Sequence, residues 1–305
     1  MMNAYPAPGR PAEVTASWLA HVLGEAGVPG AGNIVGVEQE VIGEDRGFTG
    51  VVARLTPRYS PAVTDAPGSL VAKFPLAERT GSTSYREQMA ASPELARQFA
   101  ERSAREVHFY TMSGQLFSQI PNCYFGHADV EAGEVVLLLE DLVDARPGDE
   151  LLGSSVSGVR SVLLGLVELQ SRWWGDPELD MMDWLGDWPA TIPGRAERYR
   201  QHSVTVIERY REQLPPEVVA LLGSLGAHLP RILDDLVSAP QTLVHGDLHL
   251  DNVMFMPSPG GPTAFIIDWQ SVARPGAARC RRISGGISDD RRPAGTRVRA
   301  PAGIP

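Results

Sequence analysis

Residues 243–270 read LVHGDLHLDNVMFMPSPGGPTAFIIDWQ. Two short apolar runs, 243–244 and 253–255, flank a polar loop from His245 to Asn252. A third run, 264–267, ends on Asp268. Runs this short, bounded by Gly and Pro, predict buried β-strands rather than helices. Residues 257–262, with their Ser-Pro-Gly-Gly, predict the turn between the last two. Asp247, Asn252 and Asp268 then converge at the ends of neighbouring strands. The spacing Asp247-x-x-x-x-Asn252, followed by a strand-end Asp, suits phosphoryl transfer. One carboxylate accepts the proton of an attacking hydroxyl, while the amide and the second carboxylate hold Mg²⁺ on nucleotide phosphates. Magnesium takes hard oxygen ligands and keeps several waters, so one carboxylate and one amide suffice.

HGDLHLDN at 245–252 followed by IIDWQ at 266–270 resembles the motifs of the aminoglycoside phosphotransferase, choline kinase and ecdysteroid kinase-like group. The resemblance covers about residues 30–273. It implies an α+β, two-lobed protein-kinase-like fold, with a small antiparallel β-rich N-lobe and a mainly helical C-lobe. It also implies an enzyme that uses Mg²⁺ and ATP or GTP to phosphorylate a hydroxyl of a small molecule. Asp247 would be the catalytic base, and Asn252 and Asp268 the metal ligands. His245 reads as a scaffold hydrogen bonder rather than a proton shuttle. No His/Cys cluster suggests zinc.

At 305 residues, 43% apolar and 21% charged, the chain is long enough for two lobes with cores of their own. It has no run of eighteen apolar residues to span a membrane, and its first residues do not read as a signal peptide. Two cysteines, Cys123 and Cys280, far apart, fit a reducing cytoplasm. A net charge of −10 argues against nucleic acid as a main partner; it mildly favours a cationic substrate, although an acidic balance alone usually means only solubility. Of 27 basic residues only one, Lys73, is a lysine. Arg and Lys are not interchangeable where a compact point charge is wanted, so a lone Lys in a chain that otherwise writes Arg raises the question of why it stands there.

A short helix is predicted over 15–26. Strand patterns follow at 34–43, 51–59 and 69–75. Between the first two strands, Gly43, Gly47 and Gly50 punctuate a hairpin turn. By the resemblance this loop covers the phosphates, and Lys73 contacts the α- and β-phosphates and pairs with a helical glutamate. Ser92 as N-cap and Pro93 at the first helical position predict that helix, running to about 115. Glu106, in REVHFY, is the partner by resemblance, with Glu101 competing. An apolar strand, 134–142, ends in Glu140-Asp-Leu142. Here kinase-like folds join their lobes and offer backbone groups to the nucleotide base. The boundary is placed near 142, giving an N-lobe over 1–142 and a C-lobe over 143–273. A hinge loop is predicted over 144–158, and helices over 159–174, 195–213 and 216–237. Trp173 and Trp174 read as packing residues.

From Arg274 on the chain has eight Arg, two Asp and no aromatic residue. This composition cannot bury enough apolar surface to fold by itself. The abrupt change is what a frameshift or truncation would produce, and a natural disordered tail is the alternative. A reading from a different class follows: a non-catalytic remnant that binds nucleotide at most.

Overall fold

The computed structural model describes residues 6–42, 50–75, 92–113, 117–185 and 188–274. Its larger sheet is antiparallel throughout, in the order β1–β2–β3–β5–β4. The strands are β1 (Ile34–Ile42), β2 (Gly50–Tyr59), β3 (Leu70–Pro75), β4 (Cys123–Asp129) and β5 (Glu134–Glu140). On one face Val51, Ala53 and Leu55 of β2, with Leu70, Ala72 and Phe74 of β3, are buried. There they share a core with Trp18, Leu19, Val22 and Leu23 of α1 (Ala16–Glu25). The period of two along a strand then puts Val52, Arg54, Val71 and Lys73 on the other face. The register aligns Val52 with Lys73 and Arg54 with Val71.

β5 is buried on both sides. Val136 and Leu138 join the core under α1. Val135, Leu137 and Leu139 join a second core with α2 (Pro93–Ser113) and α3 (Val156–Arg172). Double burial explains why EVVLLLE is an unbroken apolar run rather than an alternation. The Ser92 hydroxyl accepts from the Leu95 N–H at 3.3 Å and Pro93 opens α2, the N-terminal chemistry its sequence predicts.

The second part is mainly helical: α3, then α4 (Trp188–Tyr210) packed on α5 (Pro216–Ser238). A small sheet, β6 (Arg146–Pro147), β7 (Val253–Met256) and β8 (Thr263–Ile266), carries the 243–270 stretch. The chain therefore has the α+β, two-lobed kinase-like fold.

Several boundaries differ from the sequence reading. α4 begins seven residues before the predicted start and runs through Pro193 and Gly194. A proline removes one backbone bond, a loss that a 23-residue helix packed on α5 absorbs. α3 starts at Val156, where Ser155 accepts from the Gly158 N–H at 3.1 Å, so the predicted hinge loop is shorter. Leu243 and Val244 form no strand; Val244 makes only a two-bond bridge with Ala273. Trp173 is buried as expected, but Trp174 is 52% exposed. Strand β4 was not anticipated. Gly43, Gly47, Cys280 and the 275–305 tail lie outside the described residues.

Candidate active site

Between the free face of the larger sheet and β7 runs a cleft of about 380 Å³. Val52, Val71, Leu137 and Leu139 line one wall, Met254 and Ile267 the other, and Leu142 the edge. Its polar lining includes Lys73, Glu106, Asn252 and Asp268. An apolar slot with a few convergent polar groups is the usual form of a small-molecule site.

Lys73 reaches the cleft because its strand parity faces it away from the α1 core. Its Nζ lies 2.5 Å from Glu106 Oε1 and 3.5 Å from Asp268 Oδ1. Glu106 is buried, whereas Glu101 faces outward in an exposed pair with Arg97. Burial opposes the charge on Lys73, but Glu106 and Asp268 outweigh it and hold its pKa above the ordinary lysine value. Burial pushes Glu106 up; Lys73 pulls it down without cancelling the shift, and Asp268 adds to it.

Asp268 is the only non-glycine with positive φ among the described residues, at φ 64° and ψ 63°. Asp tolerates this left-handed region better than most side chains, and such backbone outliers cluster at functional sites. The conformation is held from both sides. Gln270 Nε2 donates to Asp268 Oδ2 at 3.0 Å. Trp269, fully buried, stacks on Phe109 of α2 at 3.9 Å between ring centroids and donates to the Ile266 carbonyl. Arg102 of α2 also donates to Ser271 Oγ at 3.1 Å.

The polar loop is pinned by His245. The Asp247 N–H donates to its Nδ1 at 3.3 Å, so the ring hydrogen sits on Nε2 and donates to the Ile267 carbonyl at 2.8 Å. Burial, only partly offset by that carbonyl and by Asp268 and Asp247, holds His245 below the ordinary histidine pKa. The depressed value means that the unfolded chain takes up the proton first. The associated stability is present above about pH 6.5, the ordinary histidine value, and is lost as pH falls through it towards the folded value. Thermal melts from pH 7.5 to 5.5 should therefore fall more steeply for the parent protein than for His245→Gln. Parallel curves would remove His245 from the account.

Gly246 sits at φ 82°, and a Cβ there would stand 2.0 Å from the Ser271 carbonyl oxygen. Gly246→Ala should destabilise the protein by at least about 1–3 kcal/mol, the cost of a side chain in a sparsely populated conformation, read from denaturant midpoints.

The opposite wall carries Asn252, whose amide nitrogen donates to the Asp247 carbonyl at 2.9 Å. Its backbone oxygen accepts from the Ile267 N–H at 3.0 Å, which sets Asn252 beside the β8 end that carries Asp268. Asp247 lies across Asn252 and is not among the residues lining the cleft. Gly50 lines it, with space for no side chain: a Cβ would lie 2.5 Å from the Phe74 carbonyl oxygen. Glu140 and Leu142 line the edge, the Glu140 carboxylate accepting from Asn122 Nδ2 at 2.8 Å.

One cluster escaped the sequence reading. Asp141, between Glu140 and Leu142, accepts from Arg54 Nε and from Ser69 Oγ, each at 2.7 Å. These partners lie 87 and 72 residues away in sequence, and no local pattern connects them.

Residues 56–273 match the sequence-family model described as the phosphotransferase enzyme family. A search of curated proteins finds no match. Among solved structures, a variant of aminoglycoside 2′-phosphotransferase IIIa complexed with GDP is 15% identical, with a TM-score of 0.47. The alignment covers 80% of this chain and 68% of that one. A complex of APH(2″)-IIa with gentamicin is 13% identical, with a TM-score of 0.43, covering 80% and 67%. An ethanolamine kinase of Plasmodium vivax is 11% identical, with a TM-score of 0.43, covering 85% and 63%.

Proposed function

This chain belongs to the phosphotransferase enzyme family, and within that family we propose that it transfers the γ-phosphoryl group of ATP or GTP to a hydroxyl of a small molecule. The observation that carries the proposal is the presence, in the lining of one cleft, of the Lys73–Glu106 pair, Asp268 3.5 Å from Lys73, and Asn252 on the facing wall. The apolar slot beyond them suits a nucleobase. Residues 1–142 would form the N-lobe and 143–273 the C-lobe, with the Glu140 carbonyl and Leu142 N–H at the edge where the base would pair.

Charge supports a metal-dependent reaction. The described lining carries Glu106, Glu140, Asp141, Asp251 and Asp268 against Arg54 and Lys73. A bare polyphosphate would enter a cleft already in negative excess. Asn252 and Asp268 offer an amide and a carboxylate, the hard oxygen donors Mg²⁺ takes, and would hold it. Bound there, Mg²⁺ would offset phosphate charge.

The chain's own groups supply the rest. Lys73, kept charged and in place by Glu106, would hold the nonreacting phosphates. Asp247 would accept the acceptor's proton as the new O–P bond forms and the bond to the β-phosphate oxygen breaks. Catalysis of this kind is positioning and charge neutralisation. The excess of carboxylates favours a cationic acceptor.

Calorimetric titration with ATP and with GTP tests the binding half of the proposal. Binding should strengthen with Mg²⁺ present, and a nucleotide monophosphate should bind more weakly than either triphosphate. Equal affinity with and without Mg²⁺ would overturn the metal assignment.

A further inference from the structure

Beside the cleft, His249, Glu150 and Asp251 form a cluster that phosphoryl transfer as described leaves without a task. The hydrogen bonds around Asn252 give it one. The side-chain nitrogen of Asn252 lies 2.9 Å from the Asp247 carbonyl oxygen and 3.0 Å from His249 Nε2. A carbonyl oxygen can only accept, so the amide is oriented with its NH₂ towards Asp247. The same NH₂ then donates its second hydrogen to His249 Nε2, which must be the accepting nitrogen. The ring hydrogen of His249 is left on Nδ1. Glu150 Oε1 stands 3.1 Å from that Nδ1, off the line of a hydrogen bond. A carboxylate at this distance still favours the tautomer that carries hydrogen there. Asp251 Oδ1 in turn accepts from the Glu150 N–H at 3.2 Å, tying the cluster to the loop.

We propose that His249, with Glu150 behind it, is a positioning residue that fixes the Asn252 amide so that its oxygen is presented to the metal. Both amide hydrogens are occupied by acceptors, so Oδ1 is the atom left for a cation. Without His249 the amide has one anchor instead of two, and rotation would exchange an oxygen ligand for an NH₂ group that repels the cation. The inference rests on the reading of Asn252 as a metal ligand. It differs from the other use the cluster suggests. Glu150, His249 and Asp251 offer three ligand atoms within 4.8 Å of one another, as a cation site would. A cation there would need the Nδ1 lone pair, and in this tautomer Nδ1 carries hydrogen.

The test is a Mn²⁺ titration of the full chain with ATP, read by the electron paramagnetic resonance of free and bound Mn²⁺. Partners that orient metal ligands typically contribute 10- to 100-fold in metal affinity, so His249→Ala should weaken Mn²⁺ binding about tenfold. Metal-free ATP affinity and melting temperature should stay near the parent values. Asn252→Ala should weaken Mn²⁺ binding at least as much, and adding His249→Ala to it should cost nothing more, because both act through one amide. Glu150→Gln, at a half-exposed side chain that cannot threaten the fold, should weaken binding in the same direction by a smaller factor. It remains decisive if His249→Ala does not fold. Unchanged affinity in His249→Ala or, failing that variant, in Glu150→Gln, with a loss in Asn252→Ala, overturns the positioning role and spares the Asn252 reading. Unchanged affinity in Asn252→Ala overturns both. Loss of a second, separate Mn²⁺ in the His249 and Glu150 variants, retained in Asn252→Ala, would assign the cluster to a cation site of its own and also overturn the proposal.

Discussion

Asp268→Asn is expected to lower phosphoryl transfer by roughly 10³-fold, the range seen when one preorganised charge-stabilising group is removed. It should also erase the Mg²⁺ dependence of nucleotide binding. Asn is the informative replacement. It tolerates the left-handed backbone at φ 64° as Asp does, and it keeps an oxygen for the Gln270 amide. Only the negative charge beside Lys73 and the cleft is lost. Melting temperature should therefore stay near the parent value while Mg²⁺-dependent binding disappears. If Asp268→Asn instead kept its Mg²⁺ response and lost stability, the residue would be a backbone element and not a ligand.

Lys73→Met should cost both stability and activity, for separable reasons. It leaves the Glu106 carboxylate buried without its cation, and removing one partner of a buried pair typically costs about 3–5 kcal/mol. Lys73 is 26% exposed, so about 3 kcal/mol is the better expectation after allowing for solvent screening. The pH dependence has a definite sign. Glu106 already has a raised folded pKa, and loss of Lys73 raises it further. The stability of the variant is then full below the unfolded carboxylate value, about 4.3, and is lost as pH rises through the folded one. Adding Glu106→Gln should restore most of the lost stability at neutral pH. It should not restore transfer, because no cation remains to hold the phosphates. Recovery of transfer in Lys73→Met/Glu106→Gln would mean that the pair is architectural only.

The core strands and the polar ends of the site were legible for physical reasons. β5 announced itself because a strand buried on both faces cannot alternate. Lys73 stood out as the one lysine in a chain that otherwise uses arginine. Ser92-Pro93 marked the start of α2 because N-terminal capping is local chemistry. Strand β4, CYFGHAD, was hidden: its side chains are half-buried along most of its length, so they show neither alternation nor an apolar run. Arg54, Ser69 and Asp141 meet only through the register of three strands, which no local pattern encodes. The second anchor of Asn252 was equally invisible. His249 lies three residues away, but its ring reaches the amide only because the intervening Leu250–Asn252 turn tightens into a 3₁₀ conformation. The turn also buries Leu250 and Asn252, which holds that geometry in place.

Phosphorus NMR of the purified chain with Mg²⁺, ATP or GTP, and a panel of cationic amino alcohols and amino sugars tests the central claim most directly. The account predicts a new phosphate-ester resonance that grows as the γ-phosphate signal declines. In Asp247→Ala the transfer rate should fall about 10²- to 10⁴-fold, the usual range for a lost general base, with Mg²⁺–nucleotide binding retained. A folded protein that binds Mg²⁺–nucleotide and forms no ester with any hydroxyl acceptor, or an Asp247→Ala variant that transfers as fast as the parent, would contradict it.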